Sequence, residues 1–385
     1  MRPLGRLSAG EFLQRYWQKS ACLLRRAFPG IHLPITPEEL AGLACETGVE
    51  SRLIIKTGGQ PGWIVRHGPF SAAEFNKLPE KNWTLLVQDT DKHVPELADF
   101  LAHFDFIPRW RVDDLMISYA ADGGSVGPHV DAYDVFLLQV LGQRRWRISR
   151  KHQPPLIKPG LQLNLVRNFK PQHDWLLGPG DMLYLPPGIA HHGTAIGECM
   201  TFSIGMRAPT DAEMLADLNT RLLGRLEKNA RYADPDLLSA ESDPGRINAK
   251  TLAAIGKRMR NAMHMEPDEL DEWFGCFITE PKSWLRPEPA RRALTPAALA
   301  AKLKQRKKIA RNLSVILLWS TAGTRHIRLF ANGQCRLLPA GLVELVHLLA
   351  GRRIYTAGML APWLRKSHAA KLLAELHNDG SLYFP

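Results

Sequence analysis

The alternation of apolar and polar positions along the chain changes character near residue 209. Before that point, short apolar segments alternate with turns rich in glycine, such as the segment 121–127. A period of two between closely spaced turns is typical of antiparallel strands. The pattern predicts an antiparallel double-stranded β-helix, or jelly roll, preceded by helices near 12–28 and 37–47.

Helical periodicity dominates after residue 209. Apolar residues recur at three- to four-residue spacing over 211–227, and the segments 247–263 and 267–277 also have helical patterns. This spacing puts the apolar side chains on one face of a helix, and that face is usually buried against another surface. We therefore expect a helical block that packs on itself or on a partner chain.

A proline-rich hinge at 281–289 precedes a third region. Thr295 and Pro296 are a favourable pair for the N-cap and first turn of a helix. The strands and helices expected after it form a winged-helix-like pattern, at 315–320, 327–330, 341–350 and 360–377, with a turn at 332–333. The sequence thus predicts an α+β protein with three domains: a jelly-roll domain with N-terminal helices (1–209), a helical domain (210–285) and a winged-helix-like domain (290–385).

Basic residues cluster between 302 and 311, toward the end of the helix that begins after Thr295. The cluster has two interpretations. It contacts a nucleic acid, or it is a solvated helix face whose cations are favoured near the helix C-terminus. No exposed recognition helix is evident in the sequence, which favours the second interpretation.

The chain carries a formal net charge of +12 that is unevenly distributed over its 385 residues. The segment 89–134 contains ten acidic and three basic residues, a net charge of −7, which leaves +19 for the remainder. An acidic patch would attract a basic polypeptide, whereas the basic remainder favours contact with a nucleic acid or simply solubility.

The composition, 45% hydrophobic and 23% charged residues, is that of a globular protein. The five cysteines form no Cys-x-x-Cys pair and are expected to be free thiols in a reducing compartment. No segment approaches the roughly 20 apolar residues of a membrane helix, and the N-terminus lacks the apolar stretch of a signal peptide. We therefore expect a cytoplasmic protein without a membrane segment.

Three residues form a candidate metal site. His129 and Asp131 are two positions apart, so on a strand they face the same side. His191 follows a Pro-Pro-Gly turn at the start of a later strand and supplies a third ligand, although the adjacent His192 is an alternative. Two imidazoles and one carboxylate without a nearby cysteine are typical of a non-haem Fe(II) site with open coordination positions.

Arg144 is the candidate anchor for an anionic ligand. Alternation along the strand 143–148 puts it on the same face as Trp146, which is expected to point into the core. An inward guanidinium must have an anionic partner. A structural salt bridge is one solution. The nearby metal site favours the other, a dicarboxylate ligand bound through paired hydrogen bonds.

Through these residues and their surroundings, the chain resembles the bacterial ribosomal oxygenases, Jumonji-C-type hydroxylases that act on an arginine of large-subunit ribosomal protein sixteen. The resemblance is dense from about residue 12 to residue 209 and thinner beyond. It is carried by Tyr16-Trp-Gln-Lys19, Glu39-Leu-Ala-Gly-Leu-Ala44, Glu50-Ser-Arg-Leu53, His67-Gly-Pro-Phe70, Trp83-Thr-Leu-Leu-Val-Gln88, Trp110-Arg-Val-Asp-Asp-Leu-Met-Ile-Ser118, Gly127-Pro-His-Val-Asp-Ala-Tyr-Asp-Val-Phe136 and Gly205-Met-Arg-Ala-Pro209.

The resemblance implies a 2-oxoglutarate- and Fe(II)-dependent dioxygenase with a Jumonji-C/cupin-like jelly roll. It also implies that the helical domain forms a homodimer and that hydroxylation occurs at Cβ of the substrate arginine. With a ribosomal substrate, the basic remainder of the chain would contact ribosomal RNA. Carried over by position, it assigns a role to eight residues: iron ligands His129, Asp131 and His191, 2-oxoglutarate-binding Arg144 and Ser118, and substrate-binding Asp114, Met116 and Tyr133.

The chemistry of the last three residues agrees with an arginine substrate. A carboxylate would pair with the guanidinium, and a thioether and a phenol would line its flat faces. For Met116 the alternative is ordinary core packing, and for Asp114 it is a turn or cap.

Two other functions stay open from the sequence. A related hydroxylase could act on a histidine of a ribosomal protein, although Asp114 favours a cationic side chain. The chain could instead be a non-enzymatic, metal-binding regulator whose winged-helix-like domain binds nucleic acid.

Overall fold

The computed structural model describes residues 3–58, 62–152, 165–166, 168–227, 229–233 and 245–385, with the backbone alone at 150–152. Within these ranges, no helix combines the length and the apolar character needed to cross a membrane. The chain divides into two compact units, one made of Met1–Ala208, Pro281–Ile316 and Arg352–Pro385, the other of Pro209–Glu280 and Leu317–Gly351. The three-domain division made from the sequence stays a prediction.

Up to residue 208 the structure is mainly strands. Four short helices accompany them: α1 (Ala9–Arg15), α2 (Pro37–Leu43), α3 (Ala72–Phe75) and α4 (Pro95–Phe100). The strands are β1 (Cys22–Leu24), β2 (Ser51–Lys56), β3 (Trp63–His67), β4 (Trp83–Val87), β5 (Val112–Ala120), β6 (Val135–His152), β7 (His173–Leu177), β8 (Met182–Leu185) and β9 (Ile189–Met206). All pair antiparallel in the order β1-β8-β6-β9-β5-β4-β2-β3, with β7 also on β6. This is the jelly-roll-like sheet expected from the alternation.

The two 18-residue strands β6 and β9 pair along most of their length and form the centre of the sheet. The apolar run 135–141 and the strand predicted over 143–148 lie on either side of Gly142. In the structure they are parts of one strand, β6. Gly142 adopts a φ of +62° between two register shifts, where a Cβ would lie 2.0 Å from the Glu198 carbonyl oxygen. A glycine bulge therefore lets the strand bend and continue.

The helix predicted over 12–28 is much shorter than expected. Helix α1 begins with a capping box between Ser8 and Glu11 and ends at Arg15. Gln18 then takes a left-handed backbone conformation, with φ of 55°, and its backbone N–H donates to the Tyr184 hydroxyl at 2.7 Å. The chain reverses there because β1 must pair with β8.

A fully buried carboxylate fixes the start of β6. Asp134 accepts hydrogen bonds from the Tyr184 hydroxyl (2.6 Å), the Gln18 amide (3.0 Å) and the Arg111 guanidinium (3.1 Å). A buried charge is tolerated when it is paired and its lone pairs are used. This network holds the end of the segment that carries His129 and Asp131.

After residue 208 come the predicted helices α5 (Asp211–Arg225), α6 (Ala249–Met263) and α7 (Pro267–Thr279). The remaining elements are α8 (Pro296–Arg306), β10 (Lys308–Arg311), β11 (Leu318–Ala322), β12 (His326–Ala331), β13 (Gln334–Pro339), α9 (Val343–Gly351), β14 (Ile354–Thr356), α10 (Ala357–Leu364), α11 (Ser367–Asn378) and β15 (Leu382–Tyr383). The helix expected over 360–377 is thus two helices. Strands β10, β14 and β15 form one small sheet, and β11, β12 and β13 form another.

The basic cluster does not lie on a single helix. Thr295 caps α8 as predicted, but α8 ends at Arg306, and Lys307 adopts a left-handed conformation. Lys308 and Arg311 belong to strand β10. The four basic residues from 304 to 308 are exposed, as both interpretations of the cluster require.

Candidate functional site

His129 and Asp131 come together with His191, but not through a strand of their own. The strand expected to carry His129 and Asp131 is not found, because β6 begins only at Val135. Instead, the backbone N–H of His129 donates to the His191 carbonyl at 3.0 Å, and that of His191 donates back at 2.9 Å. This isolated bridge fixes the first ligand segment against strand β9.

The three side chains form a compact group of potential metal ligands. One atom from each of His129, Asp131 and His191 lies within 4.8 Å of the others. Asp131 Oδ1 is 4.0 Å from His129 Nε2, and Asp131 Oδ2 is 3.5 Å from His191 Nε2. Among the described residues, no fourth histidine, cysteine or acidic side chain joins the group. Three protein ligands of this kind are suited to a catalytic iron rather than to a closed structural zinc site.

Hydrogen bonds to the backbone orient both imidazoles. His129 Nδ1 lies 3.0 Å from the Gly127 carbonyl oxygen, and His191 Nδ1 lies 2.9 Å from that of Ile189. A carbonyl oxygen only accepts, so each Nδ1 carries the proton and each Nε2 presents a lone pair. Hydrogen bonds from Nδ1 to a carbonyl oxygen fix the tautomer of metal-binding histidines.

Burial keeps His191 neutral. It lowers the pKa of His191 to about 4, and the neighbouring His129 adds to the effect, while Asp131 opposes it. His192 lies apart from the group, with its ring against Phe169 and its Nε2 3.5 Å from the Thr194 hydroxyl. The structure therefore brings His191, and not His192, next to Asp131.

Arg144 is a buried cation without a carboxylate partner. Its side chain is 3% exposed, its guanidinium donates to Ser118 Oγ at 3.2 Å, and it stacks over the Trp146 ring at 5.3 Å. Burial lowers its pKa. Its Nε has no hydrogen-bond partner, and in the part of the chain that the structure describes no acidic side chain pairs with it. Of the two sequence interpretations, the structural salt bridge is therefore not found.

A glycine makes room for this cation. An added Cβ at Gly193 would lie 2.7 Å from Arg144 Nε and 2.7 Å from two atoms of the Trp146 ring. Gly193 lies on β9, paired with Trp146 on β6. Any larger residue at this position would displace the guanidinium or the indole.

The cation and the ligand group open into one cavity of about 690 Å³. Its lining includes the three metal-ligand candidates, Arg144, Ser118, Met116 and Tyr133. Seven of the eight predicted residues thus line it: Met116 and Ser118 lie on β5, Arg144 on β6 and His191 on β9, whereas His129, Asp131 and Tyr133 lie between β5 and β6.

Asp114, also on β5, does not line this cavity, but its Oδ2 lies 3.2 Å from the amide of Gln88, which does, and its neighbourhood is acidic. Its Oδ2 accepts a hydrogen bond from the Asp89 backbone N–H at 3.0 Å. Burial, followed by the nearby carboxylates of Asp89, Asp113 and Asp91, raises the pKa of Asp114 to about 7. Lys282 Nζ offsets part of this charge by pairing with Asp89 at 2.8 Å. A carboxylate crowded by like charges gains most from an incoming cation.

Sequence reasoning assigned no role to several residues of the site. Arg52 and Gln88 line the cavity, Gly205 lies beside Asp114, and Gly193 lies beside Arg144. The first three fall within stretches that carry the family resemblance, which was the available signal. Gly193 gave none, because only the packed structure shows what a side chain there would meet.

Two family models and several known proteins match the chain. A JmjC domain model matches residues 99–214, and a ROXA-like winged-helix model matches residues 259–383. The ribosomal protein uL16 3-hydroxylase of Escherichia coli (strain K12) is 34% identical over 378 residues, which cover 97% of each chain. A probable ribosomal oxygenase of Haemophilus influenzae is 38% identical over 234 residues, 60% of this chain and 55% of that protein.

Solved structures agree with these relatives. The X-ray structure of E. coli ycfD superposes with a TM-score of 0.87 at 34% identity and covers 99% of each chain. The structure of that ribosomal oxygenase in complex with cobalt and 2-oxoglutarate has a TM-score of 0.83 over 98% of each chain. The predicted α+β fold with a JmjC jelly roll and a winged-helix domain is confirmed. The chain belongs to the JmjC-domain ribosomal oxygenase family.

Proposed function

We propose that this protein is a 2-oxoglutarate- and Fe(II)-dependent dioxygenase that hydroxylates an arginine side chain of a large-subunit ribosomal protein. The observation that carries the proposal is Arg144, a buried guanidinium without a carboxylate partner among the described residues, which shares one cavity with a His-Asp-His group. Such a cation needs an anion. The solved relative in complex with cobalt and 2-oxoglutarate supports the same pair of ligands.

Each residue of the chain has a separate task in this proposal. His129, Asp131 and His191 would hold Fe(II) through two Nε2 atoms and a carboxylate, and bound iron with 2-oxoglutarate as electron donor would activate dioxygen, which is the oxidant. Arg144 binds the distal carboxylate of 2-oxoglutarate, and Ser118 fixes the guanidinium by accepting its hydrogen bond. Met116 and Tyr133 line the entrance to the cavity and limit access of water.

Asp114 favours arginine over histidine as the substrate residue. A carboxylate with a free oxygen pairs with a guanidinium through charge-assisted hydrogen bonds, whereas a neutral imidazole gains much less. The E. coli relative is named a uL16 3-hydroxylase, and carbon 3 of an amino acid is Cβ. We therefore propose Cβ of a uL16 arginine as the position hydroxylated.

Mass spectrometry of ribosomal proteins tests the proposal. Purified protein is incubated with Fe(II), ascorbate, 2-oxoglutarate and ribosomal proteins from cells that lack the enzyme. We expect an added oxygen on one arginine, with one succinate released for each modified peptide. An added oxygen on histidine would replace the arginine assignment, and succinate without any modified peptide would contradict the substrate class.

The raised pKa of Asp114 predicts a pH-dependent affinity for the peptide. The carboxylate binds the guanidinium only when ionised, so kcat/KM for an arginine peptide should fall as the pH drops below about 7. The measurement is a kcat/KM profile from acidic to alkaline pH. The acidic limb should be absent in Asp114→Asn, whose overall kcat/KM is lower. The same limb in the variant would assign it to another group.

We also propose that the helical block forms a homodimer. Apolar side chains on α5 and α6 are unusually exposed, among them Leu223 at 67%, Met263 at 62% and Leu252 at 59%. Contiguous exposed apolar surface is typical of subunit interfaces. Light scattering should give twice the 43.2 kDa chain mass, and Leu223→Glu with Leu252→Glu should give the monomer. Leu337→Glu, on strand β13 and 60% exposed, is the matched control that should stay dimeric.

A further inference from the structure

Gly205 and Gln88 lie next to different oxygens of the Asp114 carboxylate: Gly205 next to Oδ1 and Gln88 next to Oδ2. An ideal Cβ at Gly205 would lie 3.1 Å from Asp114 Oδ1 and 3.8 Å from Cε2 of the Tyr133 ring. Because Gly205 has no Cβ, the carboxylate oxygen packs directly against the backbone of β9, close to the phenol ring. Gly205 lies in β9 opposite Val135 and has an ordinary strand conformation, so the backbone itself does not require glycine.

The other oxygen of Asp114 is occupied. Oδ2 accepts the Asp89 backbone N–H at 3.0 Å. When the Gln88 amide is oriented to satisfy both of its neighbours, its nitrogen donates to Asp114 Oδ2 at 3.2 Å and its oxygen accepts from Arg52 at 3.2 Å. Among the described residues, no protein donor is recorded for Oδ1. These two donors hold Oδ2 so that Oδ1, the other oxygen of the carboxylate, faces Gly205.

Arg52 makes the orientation of the amide unambiguous. A guanidinium only donates, so the side of Gln88 that faces Arg52 must be its oxygen. The amide nitrogen then faces Asp114. Arg52 lies on β2 and Gln88 directly follows β4, which pair in the same sheet. The hydrogen bonds that connect Arg52, Gln88 and Asp114 are therefore supported by paired strands.

We propose that Gly205 positions the Asp114 carboxylate for the substrate side chain, because the missing Cβ lets Oδ1 lie against strand β9 beside Tyr133, where a planar cationic group can pair with it. Gln88 is a second positioning residue, which holds Oδ2 so that Oδ1 keeps this place. The inference rests on the proposed arginine hydroxylase function. The ligand class is a planar cation, the guanidinium of a peptide arginine, which presents several N–H donors in one plane.

The test compares the same small substitution at two glycines of strand β9. In Gly205→Ala we expect kcat/KM for an arginine peptide to fall by about 10-fold or more, since a lost charge-assisted hydrogen bond of roughly 1.5–3 kcal/mol corresponds to that range. The KM for 2-oxoglutarate and the peptide-independent turnover of 2-oxoglutarate should stay as in the wild type. Gly193→Ala, which crowds Arg144, should instead raise the KM for 2-oxoglutarate.

Gln88→Leu supplies a second readout that does not depend on steric crowding. Loss of the amide should raise the peptide KM and leave the KM for 2-oxoglutarate unchanged, because the Asp114 carboxylate is then free to rotate. Gly205→Ala with wild-type kinetics on the arginine peptide would overturn the inference, as would a Gly205→Ala defect confined to 2-oxoglutarate. A wild-type enzyme that modifies no arginine would instead contradict the proposed function itself.

Discussion

Asp131→Ala is expected to abolish metal binding and turnover while leaving the fold intact. Asp131 is the carboxylate of the three-residue group, within 4.0 Å of both histidine Nε2 atoms. Metal ions contribute several kcal/mol to the reactions they catalyse, so the loss should reach about 1,000-fold or more in turnover. Its removal also leaves only two ligands, too few for a stable Fe(II) site.

The measurement is an anaerobic Fe(II) titration combined with succinate release. Asp174→Ala is the matched control, because it removes an exposed aspartate of β7 that lies 3.6 Å from two surface arginines. We expect this control to bind Fe(II) and to turn over as the wild type does. The two variants should unfold at similar temperatures, since neither removes a buried, fully hydrogen-bonded carboxylate. Asp131→Ala that binds Fe(II) with unchanged affinity would rule out the proposed ligand set.

The alternation of residues along a strand predicts part of the candidate site from the sequence alone. The inward face of β6 could be predicted because a period of two forces Arg144, Trp146 and Ile148 to the same side, and all three are buried. Strand alternation predicts that His129 and Asp131 lie close together, and in the structure they do, but by another route. Their segment is not a strand, and a backbone bridge to His191 holds it in place.

Long-range packing supplied what local pattern could not. Gly193 and Gly205 matter only through atoms more than 45 residues away in the sequence, such as Arg144 and Asp114. The helix predicted near residue 12 ended early because Gln18 and Tyr184, far apart in sequence, meet at the end of α1. In each case the deciding contact is tertiary, and a single sequence does not encode its partner in any local period.

Arg144→Met is expected to uncouple stability from ligand binding. The wild-type guanidinium is desolvated without a carboxylate partner, which costs free energy in the ligand-free protein. A methionine of similar length removes that cost, so the ligand-free variant should unfold at a temperature equal to or above that of the wild type. The same change removes the proposed partner of the distal 2-oxoglutarate carboxylate, and truncating one side of a buried ion pair costs about 2–5 kcal/mol of binding.

Kinetics and thermal unfolding separate these two effects. We expect the KM for 2-oxoglutarate to rise by roughly 30- to 4,000-fold, the range that corresponds to this loss. Added 2-oxoglutarate should raise the unfolding temperature of the metal-loaded wild type and leave that of Arg144→Met unchanged, because a ligand stabilises only the state it binds. Arg144→Lys should fall between the two, since an ammonium keeps the charge but lacks the planar pair of donors.

Arg145→Met is the matched control for this prediction. Arg145 is the next residue on the same strand but points to the exposed face, where its Nε lies 3.6 Å from Asp174. Surface ion pairs of this kind contribute at most about 1 kcal/mol, so the KM for 2-oxoglutarate should not change. If 2-oxoglutarate still stabilised Arg144→Met as strongly as the wild type, the anion would be bound elsewhere in the cavity. The buried guanidinium would then need another partner, and the argument from its missing carboxylate to a dicarboxylate co-substrate would fail.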